Sequence, residues 1–142
     1  MSDPFPDVEG GIRAYLRADP GVQAALGGSQ RVFFGIPTTP TWPLIVVAQV
    51  GGGDDDSEAP VDRPSIQIDC WGAITPSGTG DKAGATALVN AVRSALKRMR
   101  NQTVTPTCRL LGARVESQIW LPDADNDRPR YSVTAEVTAI HP

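Results

Sequence analysis

The sequence predicts an α+β fold: a mixed or antiparallel sheet of four to five strands, with a long helix and a short N-terminal helix packed mainly on one face. Three observations predict it. Apolar and polar residues alternate with period two in several short segments, as in strands with one buried face. Apolar residues recur at spacings of three and four in other segments, as in amphipathic helices. The order is helix, three strands, long helix, two strands, which suits helices layered on a sheet. At 142 residues, 40% hydrophobic and 20% charged, the chain suits one domain, residues 1–142, with one core.

The first helix is expected from about Asp7 to Arg17, because Val8, Ile12, Tyr15 and Leu16 fall on one face. Asp19-Pro20 has the form of an N-cap followed by proline at the first helical position, and a short helical turn over Val22 to Leu26 stops at Gly27-Gly28. Arg31 to Gly35 is a short aromatic strand. Leu44 to Val50 is apolar without alternation at its start, which predicts a central strand covered on both faces. Ser65 to Trp71 sets Ile66, Ile68 and Cys70 against Gln67, Asp69 and Trp71. The long helix is expected over about Thr79 to Arg100, with Leu88, Ala91, Val92, Ala95, Leu96 and Met99 inward and Gly84 weakening its first turns. Val115 to Leu121 sets Val115, Ser117, Ile119 and Leu121 against Glu116, Gln118 and Trp120. Tyr131 to Ile140 turns Tyr131, Val133, Ala135, Val137 and Ala139 to one face. Pro43, Pro64 and Pro129 each stand just ahead of a strand, where a missing N–H costs no ladder bond. No internal repeat is present.

Composition excludes several classes. The net charge of −3 opposes binding of nucleic acid through a basic surface. Leu44 to Ala48, the longest apolar run, is too short to cross a bilayer, so no membrane is expected. The N-terminus lacks the basic and apolar regions of a signal peptide, and two cysteines make no disulfide framework, so synthesis in a cytoplasm is expected.

Catalytic, metal and cofactor sites are expected to be absent. The one histidine, His141, stands beside the C-terminus, where a general base is seldom held in place. Cys70 reads as a buried thiol, and its distance from Cys108 matches no zinc spacing. The run Asp54-Asp55-Asp56-Ser57-Glu58 lacks EF-hand spacing and reads as a solvated loop. Asp123, Asp125 and Asp127 alternate as in a calcium loop but lack its glycine and final glutamate, so they read as a turn. Gly78-Thr79-Gly80-Asp81 matches no phosphate-binding fingerprint. Trp71 and Trp120 both alternate onto the polar face of their strands, away from the helices. Either loops cover them or they anchor a protein contact.

The order of these features resembles a known family. A short N-terminal helix precedes Arg31-Val32-Phe33-Phe34 and the stretch IPTTPTWP, Ile36 to Pro43. Pro43-Leu44-Ile45-Val46-Val47 follows, then an acidic glycine-rich hairpin, the strand Ile66 to Gly72, and a long helix bearing Ala91 to Leu96. Across residues 8 to 100 this resembles the tail-terminator, tail-completion or tail-to-head joining proteins of long-tailed bacteriophages. No single motif in it is diagnostic; the succession carries the likeness. The resemblance implies a structural virion protein, made in the host cytoplasm and located at the head–tail junction. It implies a homo-oligomeric hexameric ring that caps the tail tube and docks to the head–tail connector, with the genome DNA passing through the lumen. It implies no catalysis and no cofactor. A neck or head-completion protein, and a generic α+β protein-binding module, are the alternatives. A small hydrolase or metal enzyme would need titratable groups that this chain does not supply. Two loops are the expected contact regions, Gly51 to Arg63 and Pro122 to Arg130. Asp54, Asp55, Asp56 and Glu58 would line the lumen or face a ring neighbour. Asp123, Asp125 and Arg128 come from the second loop, and Trp71 and Trp120 from the sheet face.

Overall fold

A computed structural model of the protein describes residues 5–52 and 61–142. The acidic positions Asp54, Asp55, Asp56 and Glu58 lie outside the described residues. The chain order is α1 (Val8–Ala18), α2 (Pro20–Ala25), β1 (Val32–Phe33), β2 (Leu44–Gly52), β3 (Val61–Asp62), β4 (Pro64–Trp71), α3 (Lys82–Arg98), β5 (Gln102–Thr105), β6 (Cys108–Trp120) and β7 (Arg130–Ile140). Among the described residues the sheet has seven strands rather than four to five, in the order β1-β2-β4-β7-β6-β5, with β3 beside the end of β7. It is mixed: β1 runs parallel to β2 and every other pairing is antiparallel.

Helices α1, α2 and α3 each start at an aspartate cap, of which the sequence reading placed the one at Asp19. The carboxylates of Asp7, Asp19 and Asp81 accept from the backbone N–H of Gly10, Val22 and Gly84. The Asp81 cap explains why α3 begins later than Thr79. Gly84 is less a defect than a fit, because a Cβ there would stand 2.3 Å from Oδ2 of the Asp81 carboxylate, whose Oδ1 makes the cap. Lys97 and Arg98 close α3 at the end where the helix dipole favours cations.

One apolar cluster joins the helices to the sheet. Val8, Ile12 and Leu16 of α1 and Leu88, Val92 and Leu96 of α3 meet Ile66, Ile68 and Cys70 of β4 and Val133, Ala135, Val137 and Ala139 of β7. The expected inward faces of β4, β7 and α3 are therefore the observed ones. Strand β2 is covered on both faces only at its start. Leu44 and Ile45 are fully buried on opposite sides, whereas the residues from Gln49 onward are exposed.

Strands β3 and β5 escaped the sequence reading. The Thr-rich segment after the long helix is a hairpin in which β5 returns as the beginning of β6, with Pro106 in its turn. Threonine suits strands, but the run is too short and polar to show a buried period. Strand β6 consequently begins at Cys108 rather than Val115.

Strand β6 also breaks its own alternation. Register shifts fall between Leu110 and Gly112 and between Val115 and Ser117. Directly opposed residues of antiparallel strands share a face, so the partners fix the orientation. Val115 lies opposite the buried Ala135, Ser117 opposite Thr134, Gln118 opposite Val133 and Trp120 opposite Tyr131. The second bulge therefore turns Gln118 and Trp120 to the helix side and sends Ser117 and Ile119 to the other.

Helix α1 packs tightly on the sheet at Gly11. A Cβ on Gly11 would stand 2.5 Å from the Cys108 sulfur. Alanine would favour the helix by about 1 kcal/mol, but overpacking a filled core costs about 1–3 kcal/mol. Gly11→Ala is expected to lower unfolding free energy in urea titration. Adding Cys108→Ala, which clears the sulfur, is expected to recover part of that loss relative to Cys108→Ala alone.

Candidate assembly interface

The two tryptophans singled out by alternation stand on opposite sides of one end of the sheet. On the face away from the helices, Trp71 is only 6% exposed. Its ring packs against Trp42 at 5.8 Å between centroids, tilted 60°. The guanidinium of Arg130, its cross-strand neighbour, lies 4.4 Å from the Trp71 ring centre, and that of Arg128 lies 3.9 Å from the Trp42 ring centre. Arg130 also donates from Nε to the Leu121 carbonyl at 2.7 Å and stands 3.9 Å from Asp69. Burial lowers the Arg128 pKa from its ordinary value, with Asp123 opposing the shift. This stack clamps the β6–β7 connection against the segment before β2. Trp71 is therefore a packed framework residue and not part of a wet face.

On the helix side, Trp120 stays 40% exposed. It stacks on Tyr131 at 5.0 Å, and the Lys82 ammonium at the start of α3 stands 4.6 Å from its ring centre. The expectation that Trp120 faces away from the helices is corrected by the bulge before Ser117. Ile119 and Leu121, on either side, are 54% and 45% exposed. Three consecutive apolar residues at a strand end give both faces an apolar surface, a signal that was readable in the sequence but hidden by the alternation around it.

The second loop is a built turn. Asp123 Oδ1 accepts from the Asp125 N–H at 2.8 Å, and Asn126 Oδ1 accepts from the Arg128 N–H at 3.0 Å. The Asp123 N–H donates to the Arg128 carbonyl at 2.9 Å, and Asp127 takes φ 57°. Asp123 thus serves its own loop, while the Asp125 side chain remains at the surface.

Strand β6 is also an open edge. Its pairing with β5 ends at Leu110, and among the described residues no strand pairs with its outer side from Gly112 to Trp120. A shallow groove of about 360 Å³ runs between this edge and α3, lined by Arg93, Ser94, Lys97, Ala113, Arg114 and Val115. Arg93 donates to Gln118 Oε1 at 2.9 Å across it. Unpaired strand edges invite another chain. These cations were missed because nothing in a helical charge pattern reveals which strand lies alongside.

A larger cleft, about 470 Å³, is lined by Tyr15, Asp19, Arg98 and Gln102 among others, but Asp19 and Arg98 pair with each other at 2.6 Å. Both thiols are buried. Burial, with the charge of Asp69 adding, pushes the Cys70 pKa far up; burial, with Asp7 adding, pushes Cys108 up to about 11. Neither is a thiolate nucleophile at neutral pH. Among the described residues no group of three or more His, Cys, Asp or Glu is arranged to hold a metal ion.

The family model for tail completion protein gp17 matches residues 10–140. The chain belongs to that family. It is a structural protein of the phage tail and not an enzyme. A chain of a solved structure described as the virion of a native gene transfer agent particle has the same fold. Its TM-score is 0.71 at 18% identity, with 94% of each chain covered. None of the curated proteins matches the chain in sequence. No helix among the described residues is long and apolar enough to cross a membrane.

Trp71→Ala is expected to cost about 3–5 kcal/mol of stability, as for a buried tryptophan. Trp120→Ala, at the surface, should cost about 1 kcal/mol or less. Urea titration of both variants checks the contrast. Stability should also fall as pH rises from about 9 to about 11, because Cys108 ionises earlier in the unfolded chain than in the folded one, with Cys70 acting in the same direction. Denaturation at pH 8 and pH 10.5 checks the sign, and Cys108→Ala should flatten the slope.

Proposed function

We propose that this tail completion protein acts as one domain that assembles into a hexameric ring, caps the tail tube and joins the tail to the head connector. Membership of the family over residues 10–140 carries the reading. The likeness to a chain of a virion particle supports assembly with other virion proteins, here the tail tube protein and the connector. The open edge of β6 and the exposed Ile119, Trp120 and Leu121 suit a chain that reaches its final burial only among neighbours. Of the residues singled out from the sequence, Trp120 and Asp125 keep a contact role in this reading. Trp71, Asp123 and Arg128 support the surface from behind. Asp54, Asp55, Asp56 and Glu58 are assigned to the ring's lumen or to a neighbour, and the genome passes without specific binding, in keeping with a net charge of −3.

Purified tail tubes lacking this protein provide the test. In negative stain, added protein is expected to form a ring at one tube end. A chain that stays monomeric and ignores the tubes would overturn the reading.

A further inference from the structure

We infer that the open edge of β6 beside α3 takes, as an added strand, an extended acidic segment of another protein. The inference rests on the assembly proposed above and names the chemistry of one partner in it.

The two margins of the sheet differ in what occupies their main chain. On the β1–β2 margin the chain's own side chains do so. The Val32 carbonyl accepts from Nε of both Arg13 and Arg17, and the Gln49 N–H donates to the Glu9 carboxylate. On the other margin, β5 leaves β6 at Leu110. From Gly112 to Trp120, among the described residues, no strand or side chain bonds the outer main chain of β6. Unmet N–H and C=O groups along an edge are what an extended peptide pairs with.

The side chains around this edge fix the charge of the guest. Ala113 and Val115 lie opposite the buried Val137 and Ala135, so both point toward α3 and floor the groove of about 360 Å³. Arg93 and Lys97 of α3 line the same groove. Arg114 lies opposite Glu136 and points to the other face. A strand laid along β6 would set alternate side chains against Arg93 and Lys97, and the rest beside Arg114 and the exposed Ile119. Among the described residues these three cations form no ion pair. Arg93 bonds the neutral Gln118 amide, and neither Glu116 in the same strand nor Glu136 across from Arg114 pairs with them. The chain as a whole has a net charge of −3, so this stretch reverses the sign locally. Acids at alternate positions of the guest would neutralise it.

Other occupants fit less well. Two β6 edges of identical chains, laid together, would set cation against cation. The bulge between Val115 and Ser117 twists the edge away from a flat chance partner. A nucleic-acid strand carries matching charge but no peptide groups for the edge.

Backbone amide exchange, read residue by residue by NMR, tests the contact on the unaltered protein. The probe is a synthetic peptide alternating valine and glutamate over the length of the Gly112–Trp120 edge. A valine–lysine peptide of the same length and a thymidine oligonucleotide are the comparisons. The acidic peptide is expected to slow exchange of the outward amides of this edge by about tenfold or more, and high salt should weaken the effect. Edge amides that ignore the acidic peptide would overturn the inference, as would equal protection by the valine–lysine peptide or protection by the oligonucleotide alone. Edge amides that become protected without peptide as the protein is concentrated would also overturn it, because a second copy would then be the occupant. Charge reversal gives a second arm. Arg93→Glu/Lys97→Glu, at two exposed positions of α3, should lose protection by the acidic peptide and gain it from the valine–lysine peptide. Undiminished protection of this variant by the acidic peptide would overturn the inference. Acidic-peptide protection in a protein that leaves tail tubes uncapped would retain this contact and reject the capping role. Caps formed by a protein whose edge ignores the peptide would do the reverse.

Discussion

The approach of Gly11 to Cys108 brings α1 against the β5–β6 hairpin, while the same helix is tied to the other margin of the sheet by polar bonds. Arg13 and Arg17 both donate to the Val32 carbonyl, at 3.1 and 3.0 Å, and Glu9 accepts from the Gln49 N–H at 2.8 Å. One helix therefore touches both ends of the strand order, β1 and β2 on one side and β5 and β6 on the other. A flat sheet could not present both margins to a single helix, so this contact requires the sheet to curl. The bulges of β6 supply extra local twist on the side that must bend.

That curvature decides where function can reside. Helix α3 is held to α1 by the Tyr15 hydroxyl, which donates to the Ala95 carbonyl at 2.5 Å, and it lies along β6 as well as β4 and β7. Its inward residues complete the core, and its outward Arg93 and Lys97 end beside the unpaired edge of β6. The packed core thus presents a strand edge, a cationic groove and an apolar strand end together. The Trp42–Trp71 stack braces the same end from the opposite face, with Arg128 and Arg130 over its rings. A structural protein needs little more: a surface held stiffly enough that a partner meets it in one geometry.

Much of this was legible beforehand because it depends on neighbours in sequence. Asp19, read as a cap from its place before Pro20, caps α2 through Val22, three positions on. Ile66, Ile68 and Cys70 fall on one face because strand geometry has period two. The succession of such elements was enough to show the family likeness. The readings that failed were those that carried a local period through a place where pairing interrupts it. Trp120 was assigned to the wrong face because a bulge two positions before Gln118 is a property of two strands, not one. Trp71 was assigned the correct face, but its burial comes from Trp42, distant in sequence. The β5–β6 hairpin was missed because its stability comes from joining a sheet already formed.

By itself, then, the amino-acid sequence determined the helices and the Asp19 cap, the buried faces of β4, β7 and α3, and the absence of any pattern suited to catalysis. Only the tertiary structure decided which edge of the sheet remains open, which tryptophan is framework and which is surface, and which cations stand beside that edge. The physical reason is range. Caps and periodicities are set by a few consecutive residues, whereas an exposed edge is defined by which strand fails to arrive beside it, and that depends on how the entire sheet curls around α1.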